Sequence, residues 1–326
     1  MSAAPLFSIV VPSRGEPRRL YAWFAALARQ SFPRDRWECI VVLDGVRADP
    51  GLAASAAAIG ARLESLDARA GPGAARNLGA DRARGEFLAF TEDDVTPEPD
   101  WLARAAARLD EDSLIDVLEG ATLKPGGRSV HRRPAGRFYL PTNLFVRRVT
   151  FARLGGYDPG FFDPASGVYF REDSDFGFRL EDAGARVAEA PDAIVVHPEE
   201  HAGLLDPLRW ARRYEMDARL EARHPRHFRE RIEVHRLGPF RVRRPIVRAA
   251  QVYVLASIAA TLAALMRANL AAWILLGVAL LAWIPIWAKW RLDLRRLPVA
   301  LIVPFVLVGA LARGRARQRR SLSGRG

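Results

Sequence analysis

Cysteine is almost absent from this chain, which has one, Cys39, in 326 residues. A single thiol excludes an intramolecular disulfide and fits a reducing compartment. Cys39 lies within the apolar run ECIVVL, so we interpret it as a buried strand residue rather than a nucleophile. Residues Met1–Pro5 also lack the positively charged segment that opens a signal peptide. The N-terminal part is therefore expected to stay in the cytosol.

Acidic residues are nearly missing from the last quarter of the chain. From Arg241 to Gly326 there are 15 Lys and Arg residues and one acid, Asp293, a net charge of +14. Residues 1–240 carry 34 basic and 36 acidic groups, a net charge of −2. Basic residues beside apolar segments are typical of membrane proteins that follow the positive-inside rule and contact anionic lipids. No nucleic-acid partner is therefore predicted, although the whole chain has a net charge of +12.

Short apolar runs alternate with helical patterns through the first 200 residues. Strands are predicted at Phe7–Val11, Glu38–Leu43, Arg62–Leu66, Glu86–Phe90, Thr142–Val146 and Ala193–Val196. Helices are predicted at Arg18–Gln30, Ala53–Ile59, Gly73–Arg84, Thr150–Leu154, Phe176–Asp182 and Pro207–Arg231. Alternating strands and helices of these lengths indicate an α/β fold with a mainly parallel sheet. Residues 124–136 are rich in Gly and Pro and are predicted to form a mobile loop.

Polar residues follow three of the predicted strands at the point where each strand ends. They occupy Pro12–Glu16, Asp44 and Glu92–Asp94. In an open α/β sheet, ligands bind beyond the carboxyl ends of the strands. The sequence therefore places a candidate site at this edge.

Two long uncharged segments lie close together in the last quarter of the chain. Ala249–Met266 has 18 residues and Leu270–Ala288 has 19, and about 20 apolar residues cross the hydrocarbon core of a bilayer. The short connection predicts a transmembrane helical hairpin; a pair of buried core helices is the alternative. A third run, Leu297–Ala312, contains Pro304. If it crossed fully, the arginines at 313–320 would lie outside, so an interfacial or re-entrant third helix is preferred.

Two features flank or line this hairpin. The segment Pro207–Tyr214 is rich in arginine and aromatic residues, which suits lipid headgroups or a lipid-linked phosphate as well as an ordinary charged surface. Ala256, Ala260 and Ala264 recur every four residues, a small-residue stripe that lets helices approach closely. This stripe permits homo-oligomerisation through the membrane helices.

Four motifs follow one another along the chain: FSIVVPSRGE, ECIVVLDG, GPGAARNLGADRARGEFLAFTEDDVTPEPDWL, and GGYDP followed by REDSDFGFRLEDAG. Their order resembles the family-2 inverting glycosyltransferases of GT-A fold, over roughly residues 6–200. The resemblance implies a GT-A domain, Rossmann-like with a mainly parallel sheet flanked by helices, at residues 1–205. A basic, aromatic linker is expected at 206–245 and two transmembrane helices at 246–290. The third apolar helix and a basic cytosolic tail are expected at 291–326.

The resemblance implies a nucleotide-diphosphate sugar as donor. The residues that match the family's positions for the base and ribose are Pro12, Arg14, Glu16, Asp44 and Asp93. Glycines that open a helix let its free N–H groups approach an anion, and in this motif Arg76 and Asn77 are expected to face the nucleotide.

A divalent cation is the second expectation. Glu92-Asp93-Asp94 occupies the family's DXD position, with Asp94 expected as the main ligand and Glu92 beside it. Diphosphate and carboxylate oxygens are hard ligands, which suits Mg²⁺ or Mn²⁺. His197, at the end of the last strand, matches a position where some relatives supply another ligand; a core or loop histidine is the alternative.

An acidic pair supplies the third expectation. Inverting transfer is a single displacement that needs one carboxylate to take the proton of the acceptor hydroxyl. Glu172 and Asp173 match the family's acidic pair, and we expect Asp173 to be the base, with Glu172 as acceptor contact or alternative base. Helix capping is the structural alternative for both, and Asp175 is expected to be the capping residue.

The sequence thus predicts a metal-dependent inverting glycosyltransferase with a membrane or lipid-linked acceptor, in cell-envelope glycan or glycolipid biosynthesis. We expect a multi-pass protein of the inner membrane with its catalytic domain in the cytosol. A polyprenyl-phosphate glycosyltransferase is the first alternative, because an ionised phosphate acceptor needs no strong base. A non-catalytic membrane scaffold on the same fold is the second.

Overall fold

The structure is a computed structural model that describes residues 4–126, 139–199, 203–237, 240–288 and 294–323. The chain divides into two compact units, which we call the N-terminal domain (residues 1–200) and the C-terminal region (residues 201–326). Most of the predicted mobile loop at 124–136 lies outside the described residues.

The N-terminal domain is built on one eight-stranded sheet. Its strands are β1 (Phe7–Ser13), β2 (Trp37–Asp44), β3 (Ala61–Leu66), β4 (Phe87–Thr91), β5 (Thr96–Pro97), β6 (Val117–Leu123), β7 (Asn143–Arg147) and β10 (Val187–Val196). A separate two-stranded ribbon consists of β8 (Phe162–Asp163) and β9 (Val168–Tyr169). The helices are α1 (Pro17–Leu27), α2 (Pro50–Ala58), α3 (Gly71–Arg82), α4 (Trp101–Asp110), α5 (Arg148–Arg153) and α6 (Glu172–Asp182).

The strands lie in the order β3-β2-β1-β4-β7-β6-β10-β5. Strands β1 to β4 run parallel to one another, and β10 runs parallel to β6. Strand β7 is antiparallel to both of its neighbours, and β5 is antiparallel to β10. The predicted α/β fold with a mainly parallel sheet is confirmed.

Hydrophobic layers cover both faces of the sheet, which is why its central strands are continuous apolar runs. Ile9 and Val41 point into one layer, together with α1, α2 and α4. Val10 and Ile40, one residue along each strand, point into the other layer with α3, α5 and α6. Cys39 is fully buried in the first layer, as predicted.

Helices α1 and α3 pack against the sheet in different ways. In α1, Pro17 sits at the start and an apolar face of Leu20, Trp23, Phe24 and Leu27 packs on the sheet, as the helical spacing predicts. Helix α3 has almost no large apolar side chains and instead approaches the sheet closely. A Cβ on its Gly79 would lie 2.4 Å from Cγ1 of Val10.

Two boundaries differ most from the sequence-based expectations. Helix α6 begins at Glu172 rather than Phe176, because its polar first turn reads as a cap in the sequence. The expected capping role of Asp175 is therefore wrong: Arg171 precedes the helix in the left-handed conformation, and Asp175 lies inside it, 2.9 Å from Arg179. Strand β10 is longer than expected because a register shift between Ala190 and Ile194 accommodates its polar middle.

The C-terminal region begins with short helices rather than the one or two predicted at Pro207–Arg231. It contains α7 (Asp206–Arg213), a 3₁₀ turn (Tyr214–Met216), α8 (Asp217–Arg223), α9 (Pro225–His227) and a π-helical turn (Phe228–Glu233). A ribbon of β11 (Val234–Leu237) and β12 (Phe240–Arg243) follows, and then α10 (Pro245–Leu265), α11 (Asn269–Ala288) and α12 (Leu297–Ser323).

Helices α10, α11 and α12 are each long and apolar enough to cross a membrane. The predicted hairpin is formed by α10 and α11, which are joined by a short turn at Met266–Ala268. Helix α12 continues without a break through Pro304. Of the alanine stripe, Ala256 is buried near Ala279 of α11, whereas Ala264 is exposed.

Candidate active site

The candidate site lies at the carboxyl edge of the sheet, as the strand ends predicted. Strands β1, β2 and β4 end there at Ser13, Asp44 and Thr91. Because β7 is antiparallel to β4, its first residue, Asn143, pairs with Thr91 and brings Thr142 to the same edge.

Asp44 connects this edge to the start of α3. It is buried, and its carboxylate accepts hydrogen bonds from the backbone N–H groups of Ala70 (2.7 Å) and Gly71 (3.1 and 3.2 Å). The next residue, Gly45, has φ +71°, and a Cβ there would lie 2.4 Å from the backbone nitrogen of Arg69. The loop before α3 is therefore held against the end of β2.

Asp93 turns back toward the end of β1. The hydroxyl of Ser13 donates a hydrogen bond to its carboxylate, and the backbone N–H of Gly15 donates to the same hydroxyl at 3.0 Å. Burial raises the pKa of Asp93, an effect that the Ser13 hydrogen bond opposes. Other predicted residues of this turn are the partly buried Pro12 and the exposed Arg14 and Glu16.

Glu92, Asp94 and His197 form a cluster that could hold a metal ion. One donor atom from each lies within 4.8 Å of the others. Thr142 donates a hydrogen bond to Glu92 at 2.9 Å, and Arg19 lies 3.4 Å from Asp94. The Oδ1 atom of Asp94 is buried and has no hydrogen-bond partner among the described residues. An unpartnered carboxylate oxygen in a cluster of this kind fits a cation.

His197 is oriented for ligation by its backbone surroundings. Its N–H donates to the carbonyl of Leu123 at 2.7 Å, which continues the pairing of β10 with β6. Its Nδ1 lies 2.9 Å from the carbonyl oxygen of Pro198. Since a carbonyl only accepts, this contact requires the proton on Nδ1, so Nε2 is the nitrogen that is oriented to bind a metal.

Arg76 lies between the two groups of acids. Its side chain is 2% exposed; Nη2 is 3.4 Å from Glu92, and Nη1 is 3.8 Å from Glu172. The guanidinium also lies over the ring of Tyr157, 5.5 Å from its centre. Neither Nε nor Nη1 has a hydrogen-bond partner among the described residues. Arg76 therefore links the candidate metal ligands to the acidic pair and has N–H groups free for a further oxygen.

Glu172 and Asp173 open α6, where the free N–H groups of a helix favour negative charge. Glu172 is buried, and its pKa is raised to about 7, first by burial and then by the charge of Asp173, with Arg76 acting in the opposite direction. Asp173 is more accessible and accepts hydrogen bonds from the N–H (2.6 Å) and hydroxyl (3.2 Å) of Ser174. Glu172 is thus the buried carboxyl of the pair, and Asp173 is the accessible one.

Burial also raises the pKa of Glu92, and the nearby charge of Arg76 opposes this shift. About a third of the Glu92 side chain is accessible to solvent, so the carboxyl is not sealed in a cavity. Two carboxyls, Glu92 and Glu172, therefore depend on one guanidinium for their compensating charge.

Asn77 has a different environment from the one predicted. Its amide donates to the carbonyl of Tyr157 at 2.7 Å and accepts from the N–H of Tyr157 at 2.8 Å. Both ends of the amide are thus used to fix the segment before β8. Next to it, a small cleft is lined by residues that include Pro72, Gly73, Tyr169 and Glu172.

Ser13 lies within the predicted segment Pro12–Glu16 but was given no role of its own, and Thr142 and Arg19 were not predicted at this site. Ser13 is the last residue of β1, so the strand-end rule was sufficient to find it. Thr142 reaches the edge only because β7 is antiparallel, which the sequence pattern does not reveal.

The chain matches one protein family and several known proteins. The family model for "Glycosyl transferase family 2" matches residues 8–176. The chain is 30% identical over 233 residues to a "PGL/p-HBAD biosynthesis glycosyltransferase" of Mycobacterium bovis, covering 68% of this chain and 88% of that protein. It is 26% identical over 222 residues to "Glycosyltransferase AglE" of Haloferax volcanii, covering 63% of this chain and 70% of the relative.

Solved structures share the fold. A mannosyltransferase, PcManGT from Pyrobaculum calidifontis in complex with GDP-Man and Mn²⁺, superposes with a TM-score of 0.55 at 22% identity, over 94% of this chain and 87% of that one. Residues 1–349 of S. aureus TarS in complex with UDP give a TM-score of 0.51 at 18% identity, over 97% and 91%. The neighbours are GT-A glycosyltransferases, which confirms the predicted fold. From its sequence match and its relatives, the chain belongs to glycosyl transferase family 2 and is a glycosyltransferase.

Proposed function

We propose that this glycosyltransferase moves a sugar from a nucleoside-diphosphate sugar to a hydroxyl of a membrane or lipid-linked acceptor, with inversion at the anomeric carbon. The observation that carries the proposal is the grouping of Glu92, Asp94 and His197 within 4.8 Å, joined through Arg76 to the acidic pair that opens α6. A cation site and a base held near each other are the two parts that such a displacement requires.

On the donor side, Glu92, Asp94 and His197 would hold Mg²⁺ or Mn²⁺. A cation there would neutralise charge that develops on the leaving diphosphate. We assign base and ribose contacts to the residues around the ends of β1 and β2: Pro12, Arg14, Glu16, Asp44 and Asp93. Ser13 supports this assignment because its hydroxyl orients Asp93.

We assign a different role to each residue of the α3 motif. The buried N–H groups of Arg76 that have no partner among the described residues favour an oxygen of the donor or of the sugar, because an unpaired buried donor is costly. Asn77 is a positioning residue, since its amide is already paired with the backbone of Tyr157.

In the transfer step, Asp173 takes the proton of the acceptor hydroxyl while that oxygen attacks the anomeric carbon. The new carbon–oxygen bond forms as the bond to the diphosphate oxygen breaks, and the nucleoside diphosphate leaves with the electron pair. Asp173 is suited to this role by its accessibility and Glu172 to an acceptor contact by its place on the small cleft.

The membrane part supports the acceptor class. Three helices long and apolar enough to cross a bilayer follow the N-terminal domain in the same chain. Such an anchor keeps the enzyme at the surface where lipid-linked acceptors are found. We propose the inner membrane, with the N-terminal domain in the cytosol, as its location.

The donor side is tested by titrating UDP-, GDP-, dTDP- and CDP-sugars into the full-length protein with and without Mn²⁺. Asp94→Asn should weaken Mn²⁺-dependent binding by more than ~10-fold, since even residues behind a metal ligand contribute 10–100-fold. Asp81→Asn, an exposed acid on α3, is the matched control and should bind like the parent protein. Equal Mn²⁺-dependent binding by Asp94→Asn and the parent would overturn the metal assignment.

The acceptor side is tested with Asp173→Asn, which should lower kcat by about 10²–10⁴ without weakening donor binding. Asp182→Asn, exposed at the other end of α6, is the control. The anomeric configuration of the product, read by NMR, tests inversion. Full activity of Asp173→Asn would exclude it as the base and favour a phosphate acceptor that is already ionised.

A further inference from the structure

Helix α12 packs against one end of the α10–α11 hairpin. Its first half buries Val299, Val303 and Leu307 in a cluster that includes Val247 of α10 and Ile286 of α11. These partners lie near the start of α10 and the end of α11. Both positions belong to the open end of the hairpin, opposite its turn.

A hydrogen bond and an aromatic contact place the first half of α12 at the same end of the hairpin. The indole N–H of Trp283 donates to the carbonyl of Ala300 at 3.0 Å. Phe305 packs edge-on against Tyr253, with 5.7 Å between ring centres. Tyr253 lies in the first half of α10 and Trp283 in the second half of α11. The first half of α12 therefore contacts the open-end half of the hairpin and reaches no further than its middle, where Val308 packs near Ala256 and Ala279.

The second half of α12 contacts residues that lie close to the open end of the hairpin. Glu215, in the 3₁₀ turn after α7, forms ion pairs with Arg313 (3.3 Å) and Arg317 (2.7 Å). A Cβ on Gly314 would lie 2.2 Å from the carbonyl oxygen of Glu215, so the two backbones touch. Two residues after Glu215, Asp217 is ion-paired with Arg244, the residue immediately before α10.

These contacts are incompatible with a helix that runs parallel to the hairpin across the bilayer. At 1.5 Å per residue, Ala300 and Gly314 are about 21 Å apart along α12. In a parallel arrangement, this distance would place Gly314 far toward the α10–α11 turn. Instead, Gly314 touches a segment that is tied to the start of α10. Helix α12 therefore crosses the hairpin at a steep angle, near its open end.

The exposed side chains of α12 are of the kinds expected at the membrane–water interface. Leu301 (38% exposed), Ile302 (52%) and the part of Phe305 that does not contact Tyr253 form apolar surface that the hairpin leaves uncovered. After this face, the chain presents the exposed arginines Arg315, Arg319 and Arg320. An apolar face followed by cations is typical of helices that lie in one leaflet, with acyl chains below and anionic headgroups beside them.

We propose that α12 lies in the leaflet from which α10 starts and that the chain crosses the bilayer twice. The partner of its exposed face is the acyl layer, and that of its arginines is the anionic headgroups. Residues 313–323 then lie on the same side of the membrane as residues 1–244. This inference does not depend on the proposed reaction.

The test is to label single cysteines that are introduced into the full-length protein. The native sequence has only one thiol, so one substitution removes the background signal. In a Cys39→Ala background, Ser321→Cys reports the end of α12, Asn269→Cys the hairpin turn, and Glu111→Cys the N-terminal domain; all three sites are exposed. A membrane-impermeant maleimide is applied to inside-out vesicles and to right-side-out spheroplasts. Ser321→Cys and Glu111→Cys should react in one preparation, and Asn269→Cys in the other.

Reaction of Ser321→Cys in the same preparation as Asn269→Cys, or in neither, would overturn the two-crossing arrangement. If Cys39→Ala does not fold, the same variants can be made in the native background, because Cys39 is fully buried. The unsubstituted protein, labelled before and after denaturation, then shows how much signal Cys39 itself contributes.

Discussion

Replacing Glu172 by Gln should stabilise the N-terminal domain at high pH. The pKa of this carboxyl is raised from its ordinary value of 4.5 to about 7, first by burial and then by the charge of Asp173, against the effect of Arg76. Between these two values the folded domain keeps a proton that the unfolded chain has released. The free energy of unfolding must therefore fall as the pH rises through this window.

The magnitude follows from the same shift. A difference between 4.5 and about 7 corresponds to ~3 kcal/mol. Gln has the shape of the protonated form and cannot ionise. At pH 8, Glu172→Gln should be more stable than the parent by about 1–3 kcal/mol. Near pH 5 the difference should fall below about 1 kcal/mol.

The single thiol provides the assay. Cys39 is fully buried in the same domain, so its reaction with a disulfide reagent that remains active at pH 5 reports unfolding of that domain alone. Unfolding by urea is measured at pH 5, 6.5 and 8 in the presence of a chelator. Glu111→Gln, with a side chain 68% exposed, is the control and should match the parent at every pH. A stability difference that is independent of pH, or a parent that is more stable at pH 8, would refute the reasoning.

Three further predictions concern packing and hydrogen bonds. Gly79→Ala should lower stability by about 1–3 kcal/mol in the same thiol assay, because the new methyl meets Val10; an unchanged midpoint would show that α3 can move away. Glu38 has a pKa below its ordinary value because hydrogen bonds and ion pairs outweigh burial. Glu38→Gln should therefore cost about 1–3 kcal/mol at pH 7 and less as the pH falls below 4.5; an equal loss at both would contradict this. Asn77→Ala should cost about 1–2 kcal/mol but leave nucleotide affinity unchanged in titrations; weaker binding would instead indicate a ligand contact with the nucleotide.

The sequence predicted the parallel half of the sheet well, because strands buried on both faces are continuous apolar runs that end in polar turns. It did not reveal the start of β10, where Glu189 and Asp192 interrupt the apolar pattern at the register shift. Nor did it reveal the position of α6, because acids in a first helical turn look the same as acids before the helix. Tertiary pairing decides both cases.

Within the acidic motif, Glu92 and Asp94 gather with His197, whereas Asp93 meets Ser13. Strand β4 ends at Thr91, and Asp93 and Asp94 lie in the turn that follows it. The alternation of side chains along a strand therefore could not predict this division. The position of Arg76 between two groups of acids depends on the packing of α3 against the sheet and could not be read from the sequence.

The order in which the strands are synthesised has a consequence for how the cation site arises. Strand β10 is the last of the sheet to be made, yet it inserts between β6 and β5, and His197 follows it directly. All of these residues precede Pro245, where the first apolar helix begins. Because domains tend to fold in order of synthesis, the sheet can close before the membrane helices are made. A nascent domain that lacks β10 has only two of the three clustered residues, so we expect the proposed cation site to be complete only once the sheet is finished.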